Sequence, residues 1–352
     1  MPSASNHSLG GEMAVRVTIK DVAKHADVAI STASRVINDS GYVSEKTRQR
    51  VEQAIRELGY VPNSIARSLK QKQTFSIGLI VTDIGNPFYA ELAQAVERAA
   101  RERGYSVLLT NTDGKASQEK DCVTVLAAKQ VDGIIWYSPI NEDLVDAVMR
   151  DTGITVVVIT GKERHMGHHT IRIDDQLGAF EAVNHLITLG HTRIGYIAEP
   201  DDPKFPQERM KGYRRALTEA GITCDEHLIV RGTYQEGSGL KAIRVLLGLK
   251  EPPTAVFCAN DLMAIEAMQY ARRKGLRIPE DLAVVGFDDT KPACLHGIDL
   301  TTVAQPTYEM GREGAKLLIS SLAKPLSSRQ LLLRPTLVIR KSCGYYLKEG
   351  TP

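Results

Sequence analysis

Two groups of side chains in this 352-residue chain have the composition expected of binding sites. The first is Ile30, Ser31, Ser34 and Arg35, in the run A-I-S-T-A-S-R-V-I-N. At helical spacing Ala33, Val36 and Ile37 turn inward, which leaves these four facing outward. Short hydroxyl donors beside one guanidinium can approach the edges of bases in a DNA groove. The second group follows short apolar runs: Phe88 and Tyr89 in N-P-F-Y-A-E, Trp136 and Ser138, Asp174 in I-R-I-D-D, Arg209 in E-R-M-K-G-Y, Tyr234, Asn260 with Asp261, Asp288, and Gln305. A carboxylate accepts from two neighbouring hydroxyls while a guanidinium donates to the oxygens beside them, so Asp and Arg together suit vicinal diols. Trp136, the single tryptophan, could stack on a sugar or base face. Taken one at a time, these residues read equally well as surface salt bridges, loop caps or, for Trp136, core. Their joint placement at the ends of strand-like runs is what points to a site.

The elements that must position the first group begin at Thr18. It can cap a short helix in which Val22, Ala23 and Ala26 share a face, with Asp21 favouring the positive end. A turn at 27–29 leads to a second helix over about 30–38. Ser44 caps a third, Val51, Ala54, Ile55 and Leu58 form its apolar stripe, and Gly59 supplies a left-handed stop. Two short helices joined by a tight turn and braced by a third make a helix-turn-helix unit, or else a small solvated bundle. Charge separates the two readings. Residues 14–73 hold 11 Lys and Arg against 6 Asp and Glu, whereas residues 74–352 hold 33 against 35. A basic head on a near-neutral body is expected when only one part meets phosphate.

Three stretches, T-I-K-D-V-A-K-H-A-D-V-A-I-S-T-A-S-R-V-I-N, V-S-E-K-T-R-Q-R-V and P-N-S-I-A-R-S-L, resemble the LacI/GalR family of bacterial transcription regulators, and the resemblance continues through most of the chain. Two residues depart from the family pattern: Ala29 stands where Ser is usual, and Ala33 where Val is usual. A lost N-cap hydroxyl costs about 1 kcal/mol, so the second helix is expected to start later or fray more. Ala33 removes core volume but favours the helix. The resemblance implies that Ile30, Ser31 and Arg35 read bases, while Thr18, Thr32, Ser34, Asn38, Ser44 and Thr47 mainly hold phosphates. Pro62 then starts a hinge helix in which Ile65, Ala66 and Leu69 share one side, too short to be stable alone. In the family this helix folds when two subunits meet on DNA, and a Leu wedges into the minor groove. That residue would be Leu69, with Ala66 allowing the close approach and Asn63 or Arg67 near phosphates. The implied partner is a palindromic double-stranded operator bound by a homodimer.

From Phe75 onward, runs such as S-I-G-L-I-V-T, S-V-L-L-T-N, D-G-I-I-W-Y and T-V-V-V-I-T lack strict alternation, as strands buried on both faces of a parallel sheet do. Helical stretches over 87–103, 118–130 and 142–150 separate them. A second series predicts strands at 193–197, 228–231, 255–258 and 283–287, with helices at 178–189, 207–220, 239–247 and 262–274. The repeat of strand, polar loop, helix and Gly predicts a duplicated doubly wound body with ligands outside the carboxyl ends of its strands. The expected fold class is α/β, with an all-α helix-turn-helix head and a two-lobed body that resembles a periplasmic binding protein. The expected domains are an extension (1–17), the DNA-binding head (18–62), the hinge and linker (63–74), the effector-binding and dimerisation body (75–347) and a tail (348–352). By the resemblance, lobe one takes about 75–174 and 304–333, and lobe two about 175–303 and 334–347.

Other classes fare worse. Residues 1–13 have no basic segment or long apolar run of an export signal, so a cytoplasmic protein is expected, with Met13 a possible alternative start. No stretch approaches the roughly 18 apolar residues of a membrane span. The five cysteines are scattered without Cys-x-x-Cys spacing and read as reduced thiols. His165, His168 and His169 could bind a metal, but they fall in a polar, Gly-containing loop with no second cluster nearby. No phosphate loop or nucleophile elbow occurs, which weighs against a Rossmann-type enzyme, and the basic head weighs against a free solute-binding protein. No cofactor is expected. The C-terminus carries no heptad that would join dimers into tetramers. The expected function is a ligand-responsive repressor of a sugar-utilisation operon. A sugar or sugar derivative is the favoured effector and a nucleobase or nucleoside the second.

Overall fold

The computed structural model describes residues 17–61, 73–160, 168–201, 207–324 and 326–348. The expected hinge residues Asn63, Ala66 and Leu69, with Pro62, Ile65 and Arg67, lie outside the described residues, as does His165. Contacts divide the chain into two units, residues 1–74 and 75–352.

The smaller unit contains α1 (Ile19–His25), α2 (Ile30–Ile37) and α3 (Glu45–Leu58). The Asp21 carboxylate accepts from the Thr18 amide at 2.8 Å and from its hydroxyl at 2.7 Å, which fixes the start of α1. Asp27 turns the chain between α1 and α2 at φ 51°, and Gly59 ends α3 at φ 59°. Both are left-handed conformations that these residue types tolerate. Val22, Ala23, Ala26, Ala33, Val36, Val51 and Ala54 are buried together. The delayed start expected for α2 is not seen. Ala29 makes no side-chain cap, but its carbonyl accepts from the Thr32 and Ala33 amides at 2.9 and 3.1 Å, so backbone bonds alone close the first turn.

The larger unit alternates strands and helices. It runs through β1 (Ser76–Val81), α4 (Pro87–Arg101), β2 (Ser106–Asn111), α5 (Ala116–Ala128), β3 (Gly133–Tyr137), α6 (Glu142–Thr152), β4 (Thr155–Thr160) and β5 (His169–Ile173). The second series is α7 (Asp175–Thr188), β6 (Ile194–Ala198), α8 (Glu208–Glu219), β7 (Ile229–Arg231), α9 (Ser238–Leu247), β8 (Ala255–Cys258), α10 (Asp261–Arg273), β9 (Ala283–Asp288) and β10 (Thr301–Ala304). After α11 (Thr307–Ala323) come β11 (Gln330–Leu333) and β12 (Thr336–Val338). One six-stranded sheet has the order β11-β5-β4-β3-β1-β2 and the other β12-β10-β9-β8-β6-β7. Every pairing is parallel except that of β12 with β10. The chain therefore passes between the sheets after β5, after β10 and between β11 and β12.

Both faces of the first sheet are covered, which explains its unalternating strands. Leu92 and Val96 of α4 and Leu318 of α11 pack on one face, and Leu126 of α5 and Val145 of α6 on the other. In the second sheet the Tyr196 ring stacks between Tyr213 and Phe257, with centroids 4.9 and 5.0 Å away. Helices α7 and α8 meet at Gly212, where an added Cβ would lie 2.3 Å from the Gln176 carbonyl oxygen.

The histidine loop is corrected by the structure. His169 opens β5, 5% exposed, and shares a hydrogen bond of 2.9 Å with the Ser321 hydroxyl; His168 is 1% exposed. The Arg329 amide donates to His169 Nδ1 at 3.2 Å, and His168 Nδ1 lies 3.7 Å from the Asp146 carboxylate, so these two residues are interior where β5 begins. Among the described residues no group of three metal-ligating side chains gathers. Nor, among them, is any helix long and apolar enough to cross a membrane.

Candidate functional site

Helix α2 presents Ile30, 47% exposed, with Ser31 and Arg35 to solvent, while Thr32 and Ser34 are half-buried at its flanks. The Asn38 amide donates to the Ser34 carbonyl at 2.8 Å and to its hydroxyl at 3.2 Å, so these two residues hold each other at the end of α2. Ser44 accepts from the Thr47 amide at 3.4 Å and lies 2.9 Å from its hydroxyl, capping α3. Thr18, Ser44 and Thr47 thus sit at helix N-termini, where backbone N–H groups favour anions. Tyr42, just before α3, is 91% exposed.

In the larger unit, the loops at the carboxyl ends of both sheets enclose a cleft of about 560 Å³. Phe88, Tyr89, Ser138, Arg209, Tyr234, Asn260, Asp288 and Gln305 line it, as expected from their places after strands. The centre is Arg209. Its Nη2 lies 3.3 Å from Asp175 Oδ1 and its Nη1 3.8 Å from Asp288 Oδ1. Nη1 also donates to the Ala259 carbonyl, and the guanidinium lies 3.7 Å from the centroid of the Phe287 ring. The Gln305 amide donates to Asp288 Oδ1 at 2.7 Å. Opposite stands a wall of three rings, with centroids 5.2 Å apart for Phe88 and Tyr89, 5.4 Å for Phe88 and Tyr137, and 5.3 Å for Tyr89 and Tyr137. All three pairs meet edge to face, the arrangement aromatic quadrupoles prefer.

Burial sets the protonation of this cleft. It pushes Asp288 up to about 8 against the pull of Arg209, and raises Asp175 against the same pull. Burial opposes the charge of Arg209, but Asp175, Tyr234 and Asp288 outweigh it and hold the guanidinium well above its ordinary value. Tyr89 is pushed up to about 12 by burial, and Tyr137 and Tyr234 well above the ordinary phenol, so all three remain hydroxyl donors. Ser138, Tyr234 and Asp288 take φ values of 44°, 62° and 120°, strained for non-glycine residues and held by the surrounding loops.

Three expected residues do not line the cleft. Trp136 is fully buried among Ile80, Ile134, Val145, Val156 and Val158, because strand alternation turns it to the α5 and α6 side and leaves the next residue, Tyr137, at the cleft. Asp174 caps α7, accepting from the Leu177 amide at 3.0 Å, which starts that helix before the expected 178 and gives Asp175 to Arg209. Asp261 is buried beneath the cleft, accepting from the Thr290 amide at 2.7 Å and from the hydroxyls of Thr290 and Thr302; burial pushes it up to about 7. The residues missed include Asp83, Asp113, Lys115 and Glu208. For Asp175 there was a signal: in a doubled Asp at a helix start, one carboxylate is taken up by the cap.

Comparison with known proteins accords with this geometry. Residues 18–63 match the model of bacterial regulatory proteins of the lacI family, and residues 183–343 match a periplasmic binding protein-like domain. The HTH-type transcriptional regulator DegA of Bacillus subtilis (strain 168) is 40% identical over 332 residues, 93% of this chain and 98% of the relative. The chain belongs to the lacI family of bacterial regulatory proteins. Among solved lacI-family structures, the lac repressor dimer bound to operator and the anti-inducer ONPF superposes with a TM-score of 0.83 at 30% identity, covering 94% of this chain and 99% of that one. The complex of the regulator CelR with cellobiose matches at TM-score 0.70 and 36% identity, covering 93% and 100%. As a lacI-family member the chain is a DNA-binding transcription regulator and not an enzyme.

Proposed function

We propose that this regulator is a homodimeric repressor that binds a palindromic operator and releases or holds it according to a hydroxyl-bearing small molecule in the cleft. A sugar or sugar derivative is the favoured effector. The observation that carries this reading is Arg209 bracketed by Asp175 and Asp288 opposite a wall of aromatic rings. Donor and acceptor then reach neighbouring hydroxyls while a ring covers the apolar face of the sugar. The cellobiose held by CelR and the operator held by the lac repressor dimer support it. In this reading Ile30, Ser31 and Arg35 contact bases, while Thr18, Thr32, Ser34, Asn38, Ser44 and Thr47 hold phosphates. Asn63, Ala66 and Leu69 form the hinge contact in the minor groove, and the protein works in the cytoplasm. The cleft is lined from both sheets, so a ligand in it prefers one lobe arrangement and shifts the population competent for DNA.

Phe88, Tyr89 and Tyr137 favour a second effector class, a nucleobase or nucleoside, whose flat base would stack where a sugar face would lie. A thermal-shift panel of sugars, nucleosides and nucleobases, followed by operator binding with and without each hit, tests both. Saturation at 100 times the dissociation constant adds about 2.7 kcal/mol of stability. A hit that changes operator affinity supports the reading. Binding without any effect on operator affinity counts against it.

A further inference from the structure

We propose that the cleft takes a non-anionic, hydroxyl-bearing effector and rejects the phosphorylated form of the same molecule by charge. This rests on the effector reading above and adds the charge class of the ligand.

A phosphate needs free cations or free backbone N–H groups at helix N-termini. Among the described residues the cleft lining sets five carboxylates, among them Asp83, Asp113 and Glu208, against two cations, Arg209 and Lys115. Even with Asp288 protonated this described lining stays negative. Arg209 is already committed, to Asp175 through Nε and Nη2 at 3.4 and 3.3 Å and to the Ala259 carbonyl through Nη1.

The helix N-termini around the cleft are similarly occupied by the chain's own acceptors. Asn86 accepts from the Phe88 amide of α4 at 3.0 Å, and Asn260 from the Met263 amide of α10 at 2.9 Å. Carboxylates fill three more: Asp174 at α7, Glu199 at α8, accepting from the Met210 amide at 3.2 Å, and Glu266 at α9, accepting from the Gly239 amide at 2.7 Å. Glu199 is fully buried and already accepts from the Met210 amide that an incoming phosphate at α8 would need. Helices α5 and α11 start without a side-chain cap, at Lys115 and Pro306; beside α5, Asp83 and Asp113 line the same wall.

Isothermal titration of the full chain against matched pairs tests this: ribose and ribose 5-phosphate, glucose and glucose 6-phosphate, cellobiose and its 6-phosphate, cytidine and cytidine monophosphate. In any pair that binds, the phosphorylated member is expected to be at least ~100-fold weaker at low salt, as like-charge contact across an interface dictates. The gap should narrow in Asp83→Asn with Asp113→Asn, and also in higher salt, since those two carboxylates are reachable by solvent. Equal or tighter binding of the phosphorylated member would overturn the proposal while leaving the effector reading intact. A gap moved neither by the double substitution nor by salt would be steric and would also overturn it. If no member of any pair binds while operator binding persists, the effector reading itself fails.

Discussion

Replacing Asp288 by Asn probes the electrostatics of the cleft directly. Asp288 is 7% exposed, and burial lifts its carboxyl from the ordinary 3.8 to about 8. Between those values the folded protein holds a proton that the unfolded chain has released. The unfolded state therefore binds fewer protons, and stability falls as pH rises through the window. One unit of pKa difference is worth about 1.4 kcal/mol. From pH 5 to pH 8 this carboxyl alone should thus cost the folded state up to about 4 kcal/mol. Asn keeps the shape, can still meet Gln305, and has no proton to lose. The melting temperature of Asp288→Asn relative to the parent protein should accordingly rise by on the order of 8 °C across that range, at about 2 °C per kcal/mol for a domain of this size. Thermal unfolding of the full chain without effector, repeated at half-unit steps of pH, reads it directly. A difference that stays flat from pH 5 to pH 8 would mean that Asp288 is ionised throughout as the partner of Arg209, and the reasoning from burial would be refuted.

Four further outcomes follow from the same structure. Arg209→Ala leaves the buried Asp175 without its cation, so it should destabilise the body by about 3–5 kcal/mol and abolish the effector response while operator binding persists; a normal response in a gel-shift titration would count against the cleft. Gly212→Ala drives a methyl into the Gln176 carbonyl, and its overpacking cost of about 1–3 kcal/mol should exceed the roughly 1 kcal/mol of helix propensity gained, as urea unfolding would show. Ala29→Ser supplies the hydroxyl that the N-cap of α2 lacks, and about 1 kcal/mol of added local stability should slow hydrogen exchange of the first-turn amides roughly fivefold. Arg35→Ala should lower discrimination between operator and mismatched DNA by about 1–3 kcal/mol, and unchanged discrimination would remove Arg35 as a base reader.

Much of the head could be read from local rules. Ser44 before an apolar-periodic run and Gly59 after it mark α3 because a cap and a left-handed stop act within one turn of backbone. The unalternating runs around Leu79, Ile135 and Val157 point to a doubly covered sheet for the same local reason, and Asn260, Asp288 and Gln305 reach the cleft because they lie at or just after strand ends, Arg209 because it lies in the first turn of α8. Other assignments depend on a single residue of register. Trp136 or Tyr137, and Asp174 or Asp175, are adjacent pairs in which one member faces the cleft and the other a core or a helix end.

The elements, their duplication, the basic head and the family are legible in the amino-acid sequence, because caps, periodicity and charge are properties of short stretches. That Tyr137 and Asp175 line the cleft, that His168 and His169 are interior, and that Asp261 supports the site from beneath emerges only once the chain is folded. Side chains on a strand alternate between faces, and which face becomes cleft or core is set by helices distant in sequence. A carboxylate acquires its charge state from whatever surrounds it after folding, as Asp288 does from the burial and the guanidinium that α8 and β9 bring together.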